Sequence, residues 1–439
     1  MIVCGFIYLA LITNGRYAHT THRNFNITSF FLQPMKEVLE KIRPGKEERQ
    51  RVEKVSQEFL QKLGRKLKHA MAILGGSGAK GTWLSDNHDV DIFVAFDRQK
   101  VDVTKLSLLL AGNLRKAFPK EKITTLHGSR DYFQMNYHGL NFEVVPILNI
   151  KKAVEAQNIT DVSPLHSKWL NAKAKKVKDD ILLVKQFCKA QGCYGAESHI
   201  GGFSGYVLEI LVVRYGSFTK LLQAAQKWKE KDVIDVEKQY KSAADTLFHM
   251  NTSKLHAPLV VVDPVDKNRN AAAALSPEKF LSFKERARKY LQHPAAGFFE
   301  KKSLDVAALK KEGAVVLEIT PLEGKQDVVG VKILKVFGHL QQKLAPFGVT
   351  DAGWEWNEKA ILYFKLRKKE LPAVMIHSGP PLALTDHVAD FKRKNKETFI
   401  ENGRIMAPVK VLHPKLADFV EALLQDTYIQ ERIKGIRLL

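Results

Sequence analysis

The chain has 439 residues, 45% of them hydrophobic and 26% charged, so it can bury sizeable cores and should divide into roughly two to four domains. Its 69 Lys and Arg against 47 Asp and Glu give a formal charge of +22, spread along the chain, which favours a polyanionic partner and salt-dependent attraction without saying whether DNA, RNA or an anionic membrane. Three cysteines (Cys4, Cys188, Cys193) and scattered histidines, with no Cys-x-x-Cys or His-x-x-x-His spacing, argue against a zinc site or a disulfide framework and fit a reducing, cytoplasmic setting.

The apolar run over 1–12 is too short to span a bilayer and lacks the basic start of a secretory signal. By contrast Met35-Lys36-Glu37-Val38-Leu39-Glu40-Lys41-Ile42 reads as an amphipathic helix. Residues 1–34 are therefore expected to be a non-native or dispensable extension, with Met35 as the natural initiator. A helix is predicted over 47–67.

The stretch Gly75-Gly76-Ser77-Gly78-Ala79-Lys80-Gly81-Thr82-Trp83-Leu84 then forms a Gly/Ser turn leading into a short helix-like segment. It is followed by Asp89-Val90-Asp91-Ile92-Phe93-Val94-Ala95-Phe96, a strand whose period of two points Asp89 and Asp91 to one face, where they can share a metal ion. The glycines admit backbone N–H groups close to an anion, and Ser77 and Lys80 add side-chain donors, a combination suited to a nucleoside triphosphate bridged by Mg²⁺. A P-loop is excluded, because Ala79 rather than Gly precedes Lys80 and Gly81 rather than Ser or Thr follows it. The bland alternative is a β-turn followed by an amphipathic strand whose aspartates face water.

After a helix over 104–117, Tyr137-His138-Gly139 opens the β-branched run Leu140-Asn141-Phe142-Glu143-Val144-Val145-Pro146-Ile147. A carboxylate among such apolar neighbours needs a partner, and a metal held by Asp89 and Asp91 would supply one; the alternative is an edge-strand residue facing solvent. Glu143 is thus the candidate third ligand. Helices packed on a mixed sheet are expected for 35–155.

Helical pattern dominates from 156 to 296, with segments at 172–191, 205–214, 218–228 and 277–292. The charged stretch 233–254 reads as an enlarged insertion before the strand Leu259-Val260-Val261-Val262. Without a Pro/Gly/Ser-rich linker before it, a continuous body with the ligand at the junction is expected. Lys185 falls on an apolar helical stripe with Ile181, Val184 and Cys188, so its cation requires an anion or must snorkel to water. From 297 to 439 strand-like runs at 313–319 and 360–365 flank a helix over 327–344, and the basic clusters Arg367-Lys368-Lys369 and Lys392-Arg393-Lys394-Asn395-Lys396 follow. No internal repeat is seen.

Ser77, Lys80, Thr82, Trp83, Asp89 and Asp91, then Glu143-Val144-Val145-Pro146, resemble the head of the archaeal, class I CCA-adding enzymes, tRNA nucleotidyltransferases of the DNA polymerase beta superfamily. The resemblance runs from Met35 to about Arg404 and includes Ser163-Pro164-Leu165-His166-Ser167-Lys168-Trp169-Leu170, Tyr194-Gly195-Ala196-Glu197, Gly202-Phe203-Ser204-Gly205-Tyr206 and Val262-Asp263-Pro264-Val265-Asp266-Lys267-Asn268-Arg269-Asn270. Two departures stand out: the family often has Arg at Lys80 and Asp at Glu143, while some members carry Glu at the Asp89 position.

The resemblance implies an α+β multidomain protein with a polymerase-beta-like nucleotidyltransferase head (35–155), a helical central domain (156–296), and an α/β body and tail (297–439) that binds tRNA. It implies that Asp89 and Asp91 bind the Mg²⁺ bridging the triphosphate, and that all three carboxylates bind a second ion that activates the tRNA 3′ hydroxyl for in-line attack. It further implies that His166, Lys185 and Tyr194 contact the triphosphate and sugar, and that Arg269 helps to choose between CTP and ATP. On the bland reading, Arg269 touches only tRNA phosphate. The basic clusters are then read as seats for the acceptor stem and TΨC arm; a homodimer is a family expectation, and a membrane partner is not expected. Two other readings stay open: a poly(A) polymerase or oligoadenylate synthetase-like enzyme using ATP alone, and a non-catalytic RNA-binding protein with a relic site.

Overall fold

In a computed structural model, the described residues are 27–85, 89–128 and 130–439. Helix α1 (Ile27–Ile42) carries Pro34 internally and seats Val38, with Met35, Leu39 and Ile42, on a core formed by the helical region. The boundary expected at residue 34 therefore falls inside a helix, and the rest of the expected extension, 1–26, lies outside the described residues.

Helix α2 (Lys46–Gly64) starts with Glu47 and Glu48 in its first turn, where they favour the positive end of the helix dipole. It buries Val55, Phe59 and Leu63, spaced by four. Next come β1 (Ala70–Leu74), the short α3 (Gly76–Lys80), β2 (Asp89–Phe96) and α4 (Leu106–Ala117), which buries Leu106, Leu110 and Leu114. Strands β3 (Thr124–Leu126), β4 (Tyr132–Tyr137) and β5 (Leu140–Leu148) complete a sheet in the order β1-β2-β5-β4-β3. Only β2 and β5 run parallel; the other pairs are antiparallel. His138 and Gly139 both take positive φ, 51° and 75°, the backbone that lets a two-residue turn follow the twist of β4 and β5. Phe59 stacks on Phe142 at 4.0 Å and on Phe118 at 4.5 Å, fixing α2 against the sheet.

The helix expected over 172–191 is α6 (Lys178–Ala190), starting six residues later, and Ala172 and Lys173 instead end a separate helix, α5 (Ser163–Lys173). Asp179 and Asp180 start a fresh N-terminus, and the Asp180 Oδ1 accepts from the Phe218 N–H at 2.8 Å, so tertiary contact fixes the break. Helices α7 (Gly205–Tyr215) and α8 (Phe218–Lys227) follow. The charged stretch 233–254 makes up most of a crossover: β6 (Asp232–Ile234) pairs in parallel with β7 (Leu259–Asp263), and α9 (Ala243–His249) lies between them in sequence. Parallel neighbours need such a long connection, which explains the length that the sequence left unexplained. Strand β8 (Asp266–Asn270) turns back along β7, and α10 (Pro277–Gln292) closes the region. Its core is aromatic, with Phe187 ringed by Phe218, Phe283, Tyr290 and Phe299 at centroid distances of 5.7, 6.2, 5.9 and 5.9 Å.

The last third holds α11 (Val306–Lys311), β9 (Val315–Thr320), α12 (Gln326–Leu344), β10 (Val349–Trp356) and β11 (Ala360–Leu366). After these come β12 (Val374–Pro381), α13 (Thr385–Lys394), β13 (Phe399–Glu401), β14 (Arg404–Lys410), α14 (Leu416–Leu424), α15 (Thr427–Gln430) and β15 (Gly435–Leu438). One antiparallel sheet runs β10-β11-β9-β15 and is covered by α12; a smaller one runs β12-β14-β13 under α13. Among the described residues no helix is long and apolar enough to cross a membrane.

Candidate active site

Asp89 and Asp91 are two apart on β2, and β2 lies parallel to β5 with Asp91 opposite Glu143 and Asp89 opposite Asn141. Glu143 is on an interior strand and not at an edge, because β4 covers the far side of β5 and sets Gln134 opposite Glu143. Gln134 Nε2 donates to Glu143 Oε2 at 3.3 Å. Asn141 Nδ2 approaches Asp89 Oδ1 at 3.5 Å. Strand neighbours stand roughly 4.8 Å apart, so the three carboxylates share one face within reach of each other's rotamers.

Their charges do not sit easily together. Burial raises the pKa of Asp91, with Asp89 adding to the rise and Lys80 opposing it. Burial also raises Glu143, followed by the charge of Asp91, against the Gln134 hydrogen bond. As hard oxygen donors on adjacent strands, held in a partly buried place that penalises their negative charge, these residues suit a divalent cation such as Mg²⁺. As the side chains stand, no three His, Cys, Asp or Glu groups among the described residues converge on a common metal position.

The Gly/Ser turn is fitted to β2 by contact. Gly75 N–H donates to the Asp91 carbonyl at 2.8 Å. Gly76 has φ +54°, and a Cβ there would lie 1.5 Å from Asp91 Oδ2, so only glycine lets the turn close over that carboxylate. Ser77, Lys80, Asp89, Asp91, Glu143, Lys185 and Tyr194 line a single cleft of about 620 Å³, joined by Glu197 and Gly205 of the helical region and by Gln326 at the start of α12.

The two lysines of that cleft are tied to a residue the sequence reading missed. Glu209 of α7 is fully buried. Its Oε2 takes Lys80 at 2.6 Å, and its Oε1 takes Lys185 at 2.7 Å and the Thr82 hydroxyl at 2.7 Å. Burial alone would raise the Glu209 carboxyl, but the charges of Lys185 and Lys80 and their hydrogen bonds hold it below the usual carboxylate range. Lys185 is 3% exposed, so it does not snorkel to solvent. The signal was available: Glu209 interrupts Tyr206-Val207-Leu208-Glu209-Ile210-Leu211-Val212 just as Glu143 interrupts its strand.

His166 and Arg269 meet elsewhere, on Asp263 at the end of β7. His166 Nε2 lies 3.0 Å and Arg269 Nη1 2.5 Å from Asp263 Oδ2, while the Tyr206 hydroxyl donates to Oδ1 at 3.3 Å. Against the upward push of burial, the His166 hydrogen bond and the charges of His166 and Arg269 bring Asp263 down to about 2. Tyr206 connects the two centres: it stacks on His166 at 4.1 Å, and Lys80 Nζ is 5.8 Å from its ring centroid. Tyr194 lies beside Gly205, whose Cβ would approach the phenol oxygen to 2.9 Å, and burial keeps that phenol protonated. The clusters Arg367-Lys368-Lys369 and Lys392-Arg393-Lys394 are exposed. Cys188 and Cys193 are free thiols and buried; Cys4 lies outside the described residues.

Comparison with known families assigns residues 53–166 to the nucleotidyltransferase domain, 179–300 to the second domain of tRNA nucleotidyltransferase, and 335–431 to the C-terminal domain of the CCA-adding enzyme. The last span carries the similarity beyond Arg404. The CCA-adding enzyme of Nanoarchaeum equitans is 33% identical over 371 residues, covering 83% of this chain and 90% of its own. That of Thermococcus kodakarensis is 31% identical over 430 residues, covering 92% and 93%, and that of Methanosarcina barkeri 29% over 431 residues, covering 90% of each. A solved cytoplasmic RNA terminal U-transferase overlays 63% of this chain and 99% of its own at a TM-score of 0.48 and 14% identity, a likeness too loose to carry weight.

Proposed function

Because the chain belongs to the CCA-adding enzyme family, we propose that it is a tRNA nucleotidyltransferase that adds and repairs the 3′-terminal CCA from CTP and ATP without a nucleic-acid template, releasing pyrophosphate. The observation that carries this reading is the pairing of Asp91 with Glu143 across the parallel β2 and β5, with Asp89 on the same face, beside the Gly/Ser turn in one cleft.

In this reading Asp89, Asp91 and Glu143 would hold Mg²⁺, which would supply positive charge to the triphosphate and to the attacking oxygen. Ser77 and the backbone N–H groups of 76–78 receive the phosphates, with Lys80 lining the same cleft. Tyr194 offers its protonated phenol to the sugar or phosphate. Lys185 supports this wall of the site. With the ion shared by Glu143 and Asp91, the tRNA 3′ hydroxyl is placed to attack the α-phosphorus in line with the departing pyrophosphate. His166, braced on Asp263, is read as contacting the triphosphate and sugar, and Arg269, held by the same carboxylate, as bearing on the choice between CTP and ATP. The exposed basic clusters of the C-terminal third receive the acceptor stem and TΨC arm, and a homodimer is compatible with the family.

The test is incubation with tRNA lacking its terminal CCA, offering one labelled nucleotide at a time. Incorporation of C, then C, then A supports the reading. Incorporation of adenosine alone, repeatedly, supports a poly(A) polymerase-like enzyme, and binding without incorporation supports a relic site.

A further inference from the structure

Lys185 lies on the helical region, while Lys80 and Thr82 lie on the head, and all three converge on one carboxylate. An ammonium has three N–H donors. Those of Lys185 match three acceptors: the Thr82 carbonyl at 2.9 Å, the Thr82 hydroxyl at 3.1 Å and Glu209 Oε1 at 2.7 Å. Lys80 donates to Glu209 Oε2 at 2.6 Å, leaving donors for the cleft that it lines with Asp91 and Ser77. The two cations thus have different work. Lys185 and Glu209 form a closed strut between α6, α7 and the turn after α3; Lys80 is held by the strut and, though both lysines line the cleft, keeps donors to spare there.

We propose that Glu209 is a positioning residue for the reaction, setting where the Lys80 ammonium stands over the carboxylates and fixing the head against the helical region, with Lys185 and Thr82 completing the strut. This rests on the nucleotidyl-transfer reading above. Glu209 does not reach the substrate itself, because it is 0% exposed and both its oxygens are taken. Since the triphosphate is common to CTP and ATP, an error in Lys80 placement must affect both nucleotides alike.

The experiment compares the full-length wild type with Glu209→Gln, Glu209→Asp and Thr82→Val. It measures kcat and KM for CTP and ATP on tRNAs lacking CCA or only the final A, the tRNA Kd, and the Kd of CTP with Mg²⁺ in the absence of tRNA. Glu209→Gln should raise both nucleotide KM values and the CTP Kd together, by about tenfold or more, the scale of a lost charge-assisted contact, with tRNA Kd within about twofold of wild type. Glu209→Asp, which keeps the charge and loses reach, should fall between. Thr82→Val removes one hydrogen bond from Glu209 and one from Lys185 while leaving both ion pairs, so it decides the matter if Glu209→Gln does not fold; a rise of about threefold in both KM values is expected. Folded variants of lowered thermal stability but wild-type KM and CTP Kd would overturn the proposal and leave Glu209 a structural anchor. Absence of C and A addition by the wild type would instead overturn the functional reading, while the CTP Kd series would still report on Glu209.

Discussion

Asp91 shows the tension a site of this kind must hold. Burial and Asp89 raise its pKa, so a proton is favoured in the folded state. Stability from this group is fully present below the ordinary carboxylate value of about 4 and is lost as pH rises through the raised folded value. Asp91→Asn should therefore stabilise the protein at pH 7, with the gain shrinking toward pH 4; each kcal/mol recovered raises Tm by roughly 2–4 °C. The same variant, and Asp89→Asn, should reduce C and A addition by about 10²–10³-fold or more while tRNA binding persists. Thermal melts over pH 4–8 and single-nucleotide addition assays check both halves. Glu143→Asp should retain partial activity and Glu143→Ala should not, because the shorter acid keeps the charge on the β5 face. Arg269 stands differently, since its guanidinium is already held by Asp263. If it helps to define the base pocket, Arg269→Ala blurs the choice between CTP and ATP at a cost of roughly 1–3 kcal/mol; if it touches only tRNA phosphate, discrimination at saturating tRNA is unchanged.

At the scale of elements, the connection from β1 through α3 to β2 works because one backbone position does what other residues cannot. Gly76→Ala places a methyl on the Asp91 carboxylate in a left-handed conformation, costing roughly 1–2 kcal/mol of backbone strain and displacing the acid. The expected outcome is loss of nucleotide addition in a folded protein of slightly lower Tm, measured by addition assay and melt. The joint leaving β5 relies on Asp161, fully buried, which accepts from the N–H groups of Leu148, Gln157 and Asn158 and pairs with Arg130 at 2.6 Å. Asp161→Ala leaves the Arg130 guanidinium and three backbone donors, that of Leu148 buried, without their acceptor and should cost about 3–5 kcal/mol, read as a lowered midpoint in urea.

For the whole molecule the excess of positive charge governs encounter with RNA more than fold. Lys392, Arg393 and Lys394 close α13 and are exposed. Neutralising them together should reduce the slope of log K for tRNA against log salt by roughly 2–3, near 0.9 per lost phosphate contact, and leave the CTP Kd unchanged. A salt titration of tRNA binding beside a nucleotide-binding assay makes that distinction. An unchanged slope would move the RNA path away from α13, toward basic surface elsewhere, such as the cleft lined by Lys151, Lys152, Lys168 and Lys267.

The local pattern of the chain was enough for the head. Period-two alternation placed Asp89 and Asp91 on one face, and a lone carboxylate among apolar residues singled out Glu143, since each of these follows from backbone geometry or the cost of burying charge. Local pattern was not enough to separate α5 from α6, where a side chain of one helix accepts from the backbone of another. Nor did it reveal β6, β10 or the sheet under α13, whose short or partly exposed strands carry weak alternation. Glu209 and Asp263 are the clearest cases. A sequence shows Lys80, Lys185, His166 and Arg269 without their partners; only tertiary structure decides that the two lysines share Glu209 and that His166 and Arg269 share Asp263, because the partners lie from 6 to 129 positions apart along the chain, and the Lys80–Glu209 pair forms only when the head folds against the helical region.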